Sequence, residues 1–344
     1  MRIGVDVMGG DHAPDAILDG ALASLDHLPD GDQLVLVGDE RTIQQRVQQT
    51  DLPPGRVEIT ATTESIAMEE SPVEAVRNKP DSSLAVLAEL GSARRAKRRG
   101  VEPLDAIISA GNTGACVSAA QMYMRRLSHV HRPGIAVTIP TFSGPVVLID
   151  VGANIEPKPH HLAQYGVMGS IYANRILEID APRVALMNVG GEEQKGTAEM
   201  RLARDLLRDN SDVNFTGYIE GRGVFDGGAD VVVTDGVVGN VMIKLAEGLA
   251  SGIFKAIGRE VMKTDPELAE RFGPVVQKIY ADHDYHEYGG APLLGVNGVC
   301  LIAHGSSESR TICNAVVRAR HFVECGVNAG ISEQLARAEE EAPA

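Results

Sequence analysis

The chain has 344 residues, 44% of them hydrophobic and 37 of them glycine, enough to bury a sizeable α/β core and too apolar for intrinsic disorder. A formal net charge of −15 excludes broad nucleic-acid binding and leaves any acidic protein partner to be met by a local basic patch. The cysteines (Cys116, Cys300, Cys313 and Cys325) lie far apart without a CxxC pair, which excludes a zinc ribbon or a disulfide framework and fits a reducing cytoplasm.

In chain order, residues 2–7 read as a strand entered at once, with no apolar leader, so no signal peptide is expected. No run of about 18 apolar residues marks a transmembrane helix. A glycine turn at 8–12 leads into a helix from Pro14 whose Ile17, Leu18, Ala21, Leu22 and Leu25 share one face. Similar units follow: strand 33–37 with helix 40–49, strand 105–109 with helix 114–126, and strand 183–187 with helix 197–208. The last two are strand 230–234 with helix 241–257 and strand 299–303 with helix 308–323. This alternation predicts a mainly parallel sheet covered by helices on both faces. Segments 134–139 and 146–150, separated by a Pro- and Gly-rich turn, predict an antiparallel hairpin and make the sheet mixed. One α/β domain over 1–333 is expected, with a protruding helical segment near 245–280 and an acidic, Ala-rich tail at 334–344.

Chemistry concentrates in glycine-rich, polar turns at the strand ends: Met8 to His12, Ser109 to Ala115, Asp150 to Asn154, Asn188 to Gly196, Asp235 to Asn240 and His304 to Ser307. Turns of this kind offer backbone N–H groups to an anion, and in open α/β sheets ligands bind beyond the carboxyl ends of strands. These turns are therefore expected to line one cleft for a phosphate-bearing ligand, with Asp11, His12, Gly111, Asn112, Thr113, Asn154, Asp235, Gly239 and His304 as its binding set. No GxxxxGK[ST] loop, early GxGxxG or GxSxG elbow is present, which argues against a kinase, an ordinary nicotinamide dehydrogenase and a serine acyl-enzyme.

The remaining residues suit direct transfer without a covalent intermediate. Lys195 offers an ammonium for phosphate or a developing oxyanion, and Asn240 an amide beside the backbone N–H groups of a helix start. Asn112, Thr113 and Asn154 are either oxyanion holders or ordinary turn and N-cap residues. His304 is either a phosphate donor or proton shuttle, or a satisfied strand-end histidine; Asp11 and His12 bind the ligand or cap the first helix. Glu192 and Glu193 orient Lys195 or are solvated first-turn charges. The crowded Asp282, His283, Asp284, His286 and Glu287, and the pair His160-His161, lack a second ligand group of metal-site spacing, so no metal is expected. The basic run 94–99 is either a solvated loop or, with Arg125 and Arg126, a docking surface for an acidic partner.

The opening Met1 to Pro14, the runs 109–115, 150–154, 234–240 and 288–298, and His304 to Ser307 together resemble the bacterial acyl-carrier-protein:phosphate acyltransferases of phospholipid synthesis. The resemblance covers about residues 1–330. It implies a homodimeric three-layer α/β/α sandwich similar to phosphotransacetylases and isopropylmalate-type dehydrogenases, with Lys195 and Asn240 as the active-site pair. The implied reaction converts acyl-carrier protein and inorganic phosphate into acyl phosphate, without a cofactor. A cytoplasmic enzyme with peripheral membrane contact is implied too, its product passing to a membrane acyl-phosphate:glycerol-3-phosphate acyltransferase. Two positions depart from the pattern: the stretch 94–103 is longer and more basic, and Gly191 stands where a third acidic residue is expected before Lys195. Phosphotransacetylase-like transfer from a short acyl-coenzyme A and a non-catalytic, phospholigand-binding regulator are the alternatives, the former on the same fold.

Overall fold

In the computed structural model, residues 1–141, 143–282 and 289–340 are described. The predicted crowd of acidic and histidine residues at 283–287 lies outside them, as does Tyr288.

Strand β1 (Arg2–Asp6) shows why the chain layers as it does. Ile3 and Val5 pack into one core cluster while Gly4 faces the other side, where a side chain would strike Leu87 and Leu104. The same two-residue alternation runs through β2 (Gln33–Gly38), with Leu34 and Leu36 on one face and Val35 and Val37 on the other. Helices therefore cover both faces. On the first lie α1 (Asp15–Ala23), α2 (Glu40–Gln48), α7 (Pro159–Leu177), α8 (Ala198–Asp209), α12 (Ser309–Glu324) and α13 (Val327–Glu340). On the second lie α3 (Pro72–Asn78), α4 (Ser83–Leu90), α5 (Ala93–Arg99), α6 (Thr113–Ala119) and α9 (Gly221–Phe225), with the first turns of α10 (Gly236–Thr264).

The remaining strands are β3 (Val57–Ala61), β4 (Ala106–Ser109), β5 (Gly134–Thr141), β6 (Gly144–Ile149), β7 (Val184–Met187), β8 (Phe215–Ile219), β9 (Val231–Val233), β10 (Ala291–Leu294) and β11 (Val299–Ile302). They form one sheet in the order β3-β2-β1-β4-β11-β10-β5-β6-β9-β7-β8. Strands β3, β2, β1, β4 and β11 are mutually parallel, as are β6, β9, β7 and β8. Between these blocks β10 and β5 are each antiparallel to both neighbours, so the two parallel blocks run in opposite directions. The sheet is thus mixed, as the hairpin at 134–150 predicts, and the reversal at its centre brings carboxyl ends from both blocks over β5.

Three local readings change. The basic run 94–99 is the helix α5, stopped by Gly100 in the left-handed region at φ 73°, and not a loop. Helix α10 starts at Gly236 rather than near 241, because Asp235 accepts hydrogen bonds from the N–H groups of Val237 and Val238, both 2.9 Å away. Helix α13 continues to Glu340 with Leu335 buried, so the acidic residues 334–340 are its last turns instead of a separate tail. The helical pair formed by α10 and α11 (Pro266–Asp282) occupies the region where the sequence predicts a protruding segment. Within α10 only Gly236, Gly239 and Ile243 are buried.

Candidate active site

Two buried carboxylates set the loops of the site. Asp6, at the end of β1, accepts from the Met8 N–H at 3.2 Å and from the Ser109 hydroxyl at 2.7 Å, while the Gly111 N–H donates to that hydroxyl at 3.1 Å. One side chain thereby ties the turn after β1 to the turn after β4. Asp150, just past β6, accepts from the N–H groups of Ile135 (2.9 Å), Gly152 (3.2 Å), Ala153 (3.0 Å) and Asn154 (2.7 Å). Burial raises both carboxyl pKa values above the ordinary carboxylate value, and these hydrogen bonds pull back against that rise.

The two modules correspond in sequence. Asp6-Val7-Met8-Gly9 matches Asp150-Val151-Gly152, and Ser109-x-Gly-x-x-Gly matches Thr234-x-Gly-x-x-Gly on the strand paired with each. Both glycines of the Thr234 pattern are required for steric reasons. A Cβ at Gly239 would press on the Asp150 carbonyl and one at Gly236 on the Asn154 backbone, so only glycine lets α10 approach the β6 end this closely.

Between these modules, on the face carrying α6 and α10, lies a cleft of about 400 Å³. Its floor is apolar, made by Ile135, Val137, Ala291 and Ile302 from the central strands, whose register sets Ala291 beside Ile302. Its rims are polar: Asp11, Thr113, His304 and Thr311 come from one block, and Gly152, Asn240, Lys244 and Glu247 from the other. The cleft joins a long hydrophobic group's requirements to an anion's in one place.

Five of the six predicted turns therefore meet. Asp11, Thr113, His304 and Asn240 line the cleft directly. His304 Nδ1 lies 2.8 Å from the Ser306 hydroxyl and 3.3 Å from the Ser306 N–H, so the turn's own residues orient the ring. Asp11 and His12 do not cap α1, whose N-cap is Pro14 without a side-chain bond; His12 is exposed and is not among the lining residues.

The other members of the set build the frame. Asn112 caps α6 through the Ala115 N–H (3.0 Å), and its amide donates to the carbonyls of Met68 (2.9 Å) and Glu70 (3.1 Å). Asn154 donates its amide to the Pro133 carbonyl at 2.7 Å and to Asp150 at 3.1 Å. Their donors are engaged, so the turn-and-cap alternative describes both. Gly111 and Gly239 also belong to the frame through backbone position, and Asp235 through its carboxylate, which caps α10. The N–H groups of Val237 and Val238, expected beside Asn240 for an oxyanion, are consumed by Asp235. Asn240 itself sits in the second turn of α10, exposed, and contributes its side-chain amide.

The sixth turn stands apart. Lys195 follows β7, and its ammonium is 2.7 Å from Glu192, of the two acidic neighbours the one that orients it; Glu193 instead pairs with Arg208 at 2.6 Å. Lys195 is not among the residues lining the cleft. The pair His160-His161 is also not among the lining residues: His161 Nδ1 accepts from the Lys158 N–H at 3.0 Å, capping α7, and burial with neighbouring positive groups pushes its pKa down to about 4. Sequence reading missed Lys244 and Glu247, whose signal was their spacing from Asn240 on a helix that begins earlier than predicted.

A model of the family described as fatty acid synthesis protein matches residues 1–330. Proteins named phosphate acyltransferase are similar over nearly their whole length: from Brevibacillus brevis at 44% identity over 341 residues, 97% of each chain. That from Desulforamulus reducens is 43% identical over 336 residues, again 97% of each, and that from Bacillus subtilis 40% over 339 residues, 97% of this chain and 98% of its own. The fold is shared with a phosphotransacetylase from Streptococcus pyogenes (TM-score 0.61, 15% identity, 94% of both chains). A phosphotransacetylase from Staphylococcus aureus also shares it (TM-score 0.57, 15% identity, 94% of both chains). On the strength of the family model and of relatives at 40 to 44% identity, this chain belongs to the phosphate acyltransferase family and is an acyltransferase.

Proposed function

We propose that the enzyme transfers a fatty acyl group from acyl-carrier protein to inorganic phosphate, supplying acyl phosphate for phospholipid synthesis. The observation that carries this reading is the cleft itself, in which an apolar floor (Ile135, Val137, Ile302) runs between polar rims. Hydrogen phosphate is already an anionic nucleophile, so the reaction needs positioning and oxyanion stabilisation more than a base. A phosphate oxygen adds to the thioester carbonyl carbon to give a tetrahedral oxyanion, whose collapse re-forms the carbonyl and breaks the C–S bond, and the phosphate proton passes to the departing thiolate. Asn240 stabilises the oxyanion through its amide, Lys195 adds positive charge once released from Glu192, and Asp11, Thr113 and His304 bind on the opposite rim.

The working enzyme is a homodimer that touches the membrane surface without spanning it, and it works in the cytoplasm beside a membrane acyltransferase that consumes its product. Support comes from the exposed apolar stripe of α10: Leu245, Leu249, Ile253, Ile257 and Met262 are 39 to 68% exposed. By length and composition alone Gly236–Thr264 is apolar enough to cross a membrane, although it holds no unbroken run of about 18 apolar residues. Its first turns are fixed to the end of β9 and carry Lys244 and Glu247 into the cleft, which favours an interfacial role for the remainder. The donor is tested by comparing turnover on a long-chain acyl-carrier protein with turnover on a short acyl-coenzyme A. A higher kcat/KM on the carrier protein is expected, and the reverse order makes the enzyme a phosphotransacetylase.

A further inference from the structure

We infer that Lys244 is the residue that binds the phosphate acceptor, resting on the acyl-to-phosphate reading. Asn240, Ile243, Lys244 and Glu247 stand at helical spacings of three and four and line the cleft together, so one stripe of α10 forms this wall. Ile243 is buried and anchors the stripe, while Lys244 is exposed to the cavity and makes no ion pair or hydrogen bond among the described residues. Among the described lining residues Lys244 is the one lysine or arginine.

The charge balance of the cleft makes that ammonium necessary. Asp11 and Glu247 place two carboxylates on the same lining. A phosphate dianion entering over the apolar floor is repelled by the Asp11 carboxylate. Without Lys244 the described lining residues offer that dianion a histidine and neutral donors but no lysine or arginine. Lys195 does not replace it, because its ammonium lies 2.7 Å from Glu192 on a turn outside the lining. With Lys244 present, phosphate held at its ammonium sits one helical turn from the Asn240 amide, and the attacking oxygen and the developing oxyanion share a wall. The acyl chain then runs over Ile135, Val137 and Ile302.

The test uses the full-length enzyme with inorganic phosphate as the probe, and compares native protein with Lys244→Gln and Lys244→Arg. Phosphate affinity is measured by isothermal titration calorimetry and the phosphate KM by thiol release. The inference expects Lys244→Gln to weaken phosphate about 10- to 100-fold, the range of a lost charge-assisted hydrogen bond, with the KM for the acyl donor nearly unchanged. Lys244→Arg, which keeps the charge, stays within a few-fold of native. Unchanged phosphate affinity in a folded Lys244→Gln variant overturns the inference, and so does a Lys244→Arg variant as weak as Lys244→Gln or a native enzyme that binds no phosphate. If calorimetry shows Lys244-dependent phosphate binding while thiol release ignores phosphate, the assignment of Lys244 stands and the reaction is at fault.

Discussion

Asn240 and Lys195 show what a side chain gains or loses by its place in the fold. Both come from polar turns that look alike in the sequence, yet Asn240 faces the cleft and Lys195 is held by Glu192. Removing an oxyanion donor costs about 10²- to 10³-fold in rate, so Asn240→Ala is expected to lower kcat by roughly that factor with little change in stability, because the side chain is exposed. The backbone N–H groups that otherwise soften such a loss are committed to Asp235. Lys195→Ala is expected to reduce kcat comparably, because Lys195 leaves Glu192 to act during turnover, and steady-state kinetics on both variants checks the pair. An unchanged kcat in Lys195→Ala would leave the reaction to the residues of α10 and the opposite rim. The amides of Asn112 and Asn154 illustrate the converse, since residue type alone does not reveal that their donors are spent on backbone carbonyls.

Among the elements, α10 has the most to do. Its N-terminal turns close the cleft, and its later turns expose Ile253 (50%) and Met262 (57%) beside Lys255, Arg259 and Lys263, the mixture of apolar and cationic groups that an interfacial helix uses. Vesicle flotation with anionic lipid is expected to lift the native enzyme and to leave an Ile253→Asp, Met262→Asp double variant at the bottom of the gradient with its activity in solution retained. Equal flotation of the two would move the membrane contact elsewhere. Helix α5 carries the other exposed charge: Arg95 and Arg99 are partly occupied by Glu89, at 3.4 and 2.7 Å, while Arg94, Lys97 and Arg98 make no ion pair among the described residues. The apolar spacing that defines a helix was legible for α1 and α12. It was not legible for α5, where the charge run hid the helix.

At the scale of the whole molecule, the turn-bearing strands and their helices could be read because a glycine-rich turn after an apolar run is a local signal. The β5-β6 hairpin was legible from its turn and the shared cleft was expected from the turns; what could not be read was the antiparallel pairing of β10 with β11 and β5, a matter of long-range pairing, which sets the two parallel blocks in opposite directions. The match between Asp6-Val7-Met8-Gly9 and Asp150-Val151-Gly152 was present in the sequence and would have pointed to the paired modules. Whole-molecule charge also shapes encounter. At a net −15, the enzyme would repel an acidic carrier protein, the donor proposed above, except at a local basic patch, for which α5 with Arg125 and Arg126 is the candidate. Raising salt from about one-tenth molar to several-tenths molar, where the Debye length falls below about 10 Å, is therefore expected to raise the KM for the carrier several-fold while moving the phosphate KM less. Equal responses would favour an apolar docking surface.

The central claim, that phosphate itself receives the acyl group in this cleft, is tested most directly by following free thiol and labelled inorganic phosphate together during turnover of a long-chain acyl-carrier protein. The account predicts thiol release that depends on phosphate, with one labelled phosphate entering the acyl product for each thiol freed. Thiol release at the same rate without phosphate, or without label in the product, would contradict it.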